Sequence, residues 1–273
     1  MTSFSKSGGP GRVLSSLKNE LHSLGHDVTF DSVIQSSLRE QWAAYPSRTA
    51  HAAIDEFLVR SKAADSPISL FRDWQQTDFK VQSGFDGYIF GWVNGIINLQ
   101  NIEGTIRSPS IFRLPDENWF TGGCHYSGSC TGFISNCSKC PAVRVPFRKK
   151  ITENHERKKR LLTLFPKRVF VSPSKWIRDK ALESALLGTE RIVTIPNPIS
   201  REFFDSNLKE IAQRRKKPAL HIVASQLDDA VKNVENTLRI LAPGAERGDF
   251  RLRLVGHASK NLAARHPHVD FLG

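Results

Sequence analysis

Short runs of β-branched and aromatic residues alternate along this chain with helix-length amphipathic segments, and the alternation is interrupted once and then restarts. In the first series, the strand candidates are Val28-Thr29-Phe30, Tyr88-Ile89-Phe90, Ser110-Ile111-Phe112, Arg168-Val169-Phe170-Val171 and Ile192-Val193-Thr194-Ile195. In the second, they are Leu220-His221-Ile222-Val223, Leu252-Arg253-Leu254-Val255 and Val269-Asp270-Phe271-Leu272. Strands separated by whole helices pair in parallel, because a tight hairpin cannot join parallel neighbours and a right-handed helical crossover can. The pattern therefore predicts an α/β protein with parallel sheets.

The helices between these runs carry their own start and stop signals. Val13, Leu14, Leu17, Leu21 and Leu24 recur at helical spacing, and Gly25 is placed to end that helix in a left-handed turn. Ser47 is an N-cap candidate for a helix through Ile54, Phe57 and Leu58, and Ser174 for one that runs to Leu187 and stops at Gly188. A basic helix is expected over residues 152–164, and another through Val234, Leu238 and Leu241. Pro218, at the end of a basic run, marks the boundary where the alternation restarts.

Thirty-nine Lys and Arg against 27 Asp and Glu leave a formal charge of +12, much of it in Arg148-Lys149-Lys150, Arg157-Lys158-Lys159-Arg160 and Arg214-Arg215-Lys216-Lys217. Such an excess favours anionic partners. Solvated helix faces and a linker explain the runs as well as an anionic membrane leaflet or nucleic acid phosphates would. With 39% hydrophobic and 24% charged residues, the composition excludes a disordered chain. No run reaches the ~20 apolar residues that span a bilayer, and the first residues lack the apolar core of a secretory signal, so a cytoplasmic protein is expected.

All four cysteines fall in one short segment, as C-x5-C-x6-C-x2-C at Cys124, Cys130, Cys137 and Cys140. In a reducing compartment, that clustering suits a tetrahedral structural Zn²⁺ better than disulfides, with Gly122, Gly123, Gly128 and Gly132 letting the loop wrap tightly. Reduced free thiols or two disulfides are the alternatives. Four thiolates leave no open coordination position, so hydrolytic metal chemistry is not expected. His125 is either a substitute ligand or a residue of a cleft.

Gly8-Gly9-Pro10-Gly11 precedes the first helix, whose unpaired N–H groups favour an anion such as a diphosphate, although glycine before a helix also makes an ordinary turn. Several further segments follow in order: Gly25-His26-Asp27-Val28; Trp92-Val93-Asn94-Gly95; Trp119-Phe120-Thr121-Gly122-Gly123-Cys124-His125-Tyr126 with Cys137-Ser138-Lys139-Cys140-Pro141; and Val171-Ser172-Pro173-Ser174-Lys175-Trp176. After them come Ile195-Pro196-Asn197-Pro198-Ile199, Ala224-Ser225-Gln226-Leu227 with Lys232, and Leu254-Val255-Gly256. Together they resemble family-4 retaining glycosyltransferases of bacterial exopolysaccharide and cell-surface polysaccharide pathways. The cysteine and Pro-Ser-Lys-Trp segments are the most specific.

The resemblance implies a GT-B architecture of two Rossmann-like domains. Residues 1–200 would form the acceptor-side domain with the Cys-rich loop 121–141, residues 201–218 a basic linker, and residues 219–273 part of the donor-side domain. It further implies that Gly8, Gly9, Gln226 and Lys232 hold the diphosphate of a nucleotide sugar, that Asp116 is catalytic, and that Asn94, His125 and Asn197 lie on the acceptor side of the cleft. The acceptor would be a saccharide or a lipid-linked saccharide at the anionic inner membrane face. Against the family pattern, Leu114-Pro115-Asp116 lacks a histidine before the aspartate, Gly91 stands where a second histidine is usual, and Gln226 replaces one cationic donor of the phosphate clamp. The first central strand and the acidic donor-site motif are also expected to be missing, so an inactive glycosyltransferase remnant is an alternative. So is a zinc-stabilised basic nucleic-acid-binding protein, although the basic runs lack the interleaved aromatics of single-strand binders.

Overall fold

The computed structural model describes residues 9–30, 81–92, 97, 99, 102, 104–199 and 218–273. The helix expected after Ser47, residues Gly8 and Asn94, and the linker up to residue 217 lie outside the described residues. The chain divides into two compact units, Met1–Ser200 and Arg201–Gly273.

Unit one opens with helix α1 (Gly9–Ser23), followed by strands β1 (Tyr88–Phe90) and β2 (Ser110–Arg113). Helix α2 (Arg148–Thr163), strand β3 (Arg168–Ser172), helix α3 (Lys175–Leu182) and strand β4 (Ile192–Thr194) follow among the described residues. The four strands form one parallel sheet in the order β1-β2-β3-β4. Its register aligns Phe90 with Phe112 and Phe112 with Phe170. Their rings stack across the sheet at centroid separations of 4.7 and 5.5 Å. Phe165, just past α2, packs edge-on against Phe90 and Phe112, and Trp119 does the same to Phe112. This aromatic row is fully or almost fully buried and forms the centre of the first core.

Unit two contains strand β5 (Ala219–Gln226), helix α4 (Val234–Glu246), strand β6 (Arg251–His257), helix α5 (Lys260–Arg265) and strand β7 (Asp270–Leu272). Its sheet is parallel in the order β5-β6-β7. Leu238 of α4 and Leu262 of α5 bury themselves against Leu252 and Leu254. Val223 of β5 is 73% exposed. At Gly256, with φ +135°, an added Cβ would lie 1.7 Å from the Ala224 carbonyl oxygen, so the β5–β6 approach demands glycine there.

Both sheets are α/β with parallel strands, compatible with Rossmann-like domains, and most expected elements form. The α1 terminus follows the expected signal: Gly25 has φ +88°, and the His26 N–H donates to the Leu21 carbonyl at 3.1 Å. Three expectations need correction. No strand forms at Val28-Thr29-Phe30; instead these residues line a cavity of about 660 Å³ together with β1, and among the described residues none pairs with them as a ladder requires. Helix α3 ends at Leu182 rather than Leu187, because the Ser184 hydroxyl donates to the Ala181 carbonyl and accepts from the Leu187 N–H, competing with the helical ladder. Helix α2 begins at Arg148, a full turn before residue 152, and α5 was not anticipated.

Candidate active site at the carboxyl ends of the first sheet

Three segments that leave the carboxyl ends of β1 and β2, or return to them, meet at Asp116. Trp92 follows β1 by two residues, and Asp116 follows β2 by three after the Leu114 N–H bonds to the Val171 carbonyl at 2.8 Å. His125 returns from the glycine-rich loop, whose backbone closes through the Glu117 N–H donating to the His125 carbonyl at 3.1 Å. In open α/β sheets this end of the strands is where ligands bind.

The Asp116 carboxylate is surrounded by donors. Its Oδ1 accepts from the Asn118 N–H at 2.9 Å, while its Oδ2 accepts from Trp92 Nε1 at 2.6 Å and lies 2.7 Å from His125 Nδ1. Asp116 is 8% exposed and His125 5%. Burial alone would raise the Asp116 carboxyl, but the charge of His125 and hydrogen bonds from His125, Asn118 and Trp92 outweigh it and hold the carboxyl below its ordinary value. A carboxylate bonded to Nδ1 favours the proton on that nitrogen and fixes the orientation of the ring.

The loop carrying this pair is clamped from two sides. From α2, Lys158 Nζ donates to the Asn118 carbonyl at 2.6 Å, to Asn118 Oδ1 at 2.9 Å and to the Thr121 carbonyl at 3.3 Å, and Asn154 Nδ2 donates to the Gly122 carbonyl at 2.9 Å. From α3, Lys180 Nζ reaches Glu117 Oε1 at 2.9 Å and Ser127 Oγ at 2.6 Å, lying over the Trp176 ring. Glu117 Oε2 in turn accepts from the Ser127 N–H. Sequence reading missed Glu117 and Lys180, whose one signal was their place beside the Pro-Asp and Pro-Ser-Lys-Trp segments. It also read the run at residues 157–160 as a solvated face or an anion-binding surface, whereas Lys158 is buried. An ammonium among backbone carbonyls is satisfied inside the fold.

The remaining expected residues are distributed as follows. Asn197, three residues beyond β4, accepts from Arg113 at 2.7 Å through its Oδ1, so it stands at the same end of the sheet. Gly9 begins α1 and is exposed. In unit two, Gln226 is the last residue of β5, and Lys232 sits exposed in the turn Ala230–Lys232. That turn is organised by Asp229, whose carboxylate accepts from the Val231 N–H at 3.0 Å, and by Asn233 at φ +52°. Close by in sequence, Asp228 accepts from the Ser259 N–H and hydroxyl, both at 2.6 Å, which lowers its carboxyl below the usual value. Gln226 and Lys232 thus share the carboxyl end of β5.

The four cysteines are reduced, and all line one cavity of about 20 Å³, walled also by Phe133 and Ile151. The Gly122 N–H donates to Cys137 Sγ at 3.3 Å and the Gly132 N–H to Cys130 Sγ at 3.4 Å. A hydrogen bond from Cys124, reinforced by the Ala142 and Val143 N–H groups, draws Cys140 down to about 6, while the same bond and burial push Cys124 well up. As the side chains stand, no group of three or more His, Cys, Asp or Glu among the described residues is placed to hold a metal ion. Neither do those residues include a helix long and apolar enough to cross a membrane.

No protein-family model matches the chain, and a search of curated proteins returns no match.

Proposed function

We propose that this chain is a sugar-nucleotide-dependent glycosyltransferase of GT-B type. The observation that carries the reading is the Trp92–Asp116–His125 constellation: a buried, ionised carboxylate orienting an imidazole at the carboxyl ends of a parallel sheet. It agrees with the resemblance of the surrounding segments to family-4 enzymes.

In this reading the first unit is the acceptor side. Asp116 holds the His125 ring in a fixed orientation, and the pair forms part of the polar wall that positions an acceptor hydroxyl as the glycosidic bond forms. Asn197, steadied by Arg113, supplies a polar contact for the saccharide beside it. The second unit is the donor side, where Lys232 and the Gln226 amide, at the carboxyl end of β5, face the diphosphate that departs with the nucleotide. Gly9, at the start of α1, offers helix N–H groups to the same kind of anion. The acceptor is a saccharide or lipid-linked saccharide, and the basic surface suits approach to an anionic membrane face.

The test is thermal unfolding in the presence of UDP- and GDP-sugars. A ligand that binds the folded state raises Tm by mass action. At least one nucleotide sugar should raise the Tm of the wild-type protein, and Lys232→Ala should abolish that rise and any transfer while leaving the unliganded Tm unchanged. No shift with any nucleotide sugar would remove the donor side of the proposal, and an unaltered shift in Lys232→Ala would remove Lys232 from it.

A further inference from the structure

We propose that Cys124, Cys130, Cys137 and Cys140 together bind one Zn²⁺ ion through four thiolates, as a structural staple for the loop that presents Asp116 and His125. The segment 121–141 contains no α-helix or extended strand, its ordered backbone being a single bridge at Cys124 and the three-residue helical turn Gly132–Ile134, yet it must hold a histidine in register with a carboxylate on another turn. Four cysteines from separate points of that loop line one cavity of about 20 Å³. This is room for about one water-sized sphere, and a zinc ion is smaller.

The donors around the sulfurs are those a thiolate site needs. Backbone N–H groups of Gly122 and Gly132 point at Cys137 and Cys130, and those of Ala142 and Val143 at Cys140. Such bonds stabilise sulfur as an anion and orient it, as outer-shell donors do around metal ligands. Cys137 also holds a left-handed backbone, φ +58°, which a non-glycine residue adopts at a cost of about 1 kcal/mol. That conformation turns the start of the C-x2-C pair back on itself.

Counter-charge is present as well. Four thiolates around Zn²⁺ leave a doubly negative centre. Lys158 acts electrostatically on Cys137 while its ammonium is fixed on the Thr121 and Asn118 carbonyls, and Arg148 acts on Cys140 while its Nε donates to the Cys140 carbonyl at 3.0 Å. Both cations come from α2. Binding would break the thiol hydrogen bond between Cys124 and Cys140, release the thiol protons to solvent and draw the sulfurs in to about 2.3 Å from the ion. The sulfurs do not yet stand at that distance, so the loop must contract around the ion.

The inference is independent of sugar transfer, and its test does not use activity. The full chain, reduced and freed of metal under anaerobic conditions, is titrated with Co²⁺ and then with Zn²⁺. One equivalent of Co²⁺ should produce the intense absorption of tetrahedral cobalt thiolate, and one equivalent of Zn²⁺ should bleach it. Cys130→Ser should shift that spectrum by replacing one sulfur, but the wild-type titration decides the matter even if this variant does not fold. Native mass spectrometry of protein isolated anaerobically should show one zinc with the thiol protons displaced. The proposal is overturned by a wild-type chain that gives no tetrahedral cobalt spectrum, or by an anaerobic native mass equal to the metal-free chain or to a chain with two disulfides.

Discussion

Asp116 and His125 are nine positions apart, and each was marked in the sequence for a different reason: the aspartate through the resemblance of its segment to family-4 enzymes, the histidine through its glycine- and cysteine-rich loop. Their pairing was not legible, because it depends on how tightly the intervening turn closes. Removing the charge should show what the pair contributes. Asp116→Asn should lower transfer about 10²–10⁴-fold, measured as initial rate at saturating donor. It should also change acid sensitivity. A carboxyl held below its unfolded value contributes stability that is present above about pH 4 and lost as pH falls through the folded value. Urea midpoints measured against pH should therefore fall less steeply below about pH 4 in the variant than in the wild type. Lys158 teaches the opposite lesson. It looked like one member of a solvated run, yet it is buried with three oxygen acceptors. Lys158→Met should cost about 2–4 kcal/mol, read from denaturant unfolding, since it leaves two buried carbonyls without their donor.

Strands proved easier to place than helix ends. Strands β1 to β7 fall on the aromatic and β-branched runs because those residue types favour the extended, pleated backbone, and composition records that preference directly. Helix α3 ended early because one serine hydroxyl competes with the backbone, a contest decided by geometry that the spacing of apolar residues does not encode. The would-be strand at Val28-Thr29-Phe30 has the right residues but no ladder partner among the described residues. At this scale Gly256 is the sharpest test. Any side chain there collides with the Ala224 carbonyl, so Gly256→Ala should strip hydrogen-exchange protection from β5 and β6 and lower the stability of the second unit by about 2–4 kcal/mol. Protection in β2 and β3, which lie in the other unit, should be unchanged.

For the whole molecule, the excess positive charge is the property most exposed to experiment. Part of it is engaged inside the fold, as with Lys158, but Lys149 is 87% exposed along its side chain. Binding to vesicles containing an anionic lipid should be detectable by sedimentation at low ionic strength and should weaken steeply as salt rises, because screening removes an interaction between exposed charges. Vesicles of neutral lipid should not retain the protein.

Periodicity and residue type alone determined that this chain builds two successive parallel α/β units, because helical and strand repeats are local properties of the chain. They also singled out the four cysteines, with His125 beside them, as residues with chemistry, whereas Asp116 was marked only by the resemblance of its segment to family-4 enzymes. Only the tertiary structure decided that Trp92, Asp116 and His125 share hydrogen bonds, that Lys158 and Lys180 clamp the loop between them, and that the four cysteines line one cavity. Those relations join residues far apart in sequence, and the packing of α2 and α3 against the loop, rather than any local preference, brings them within bonding distance.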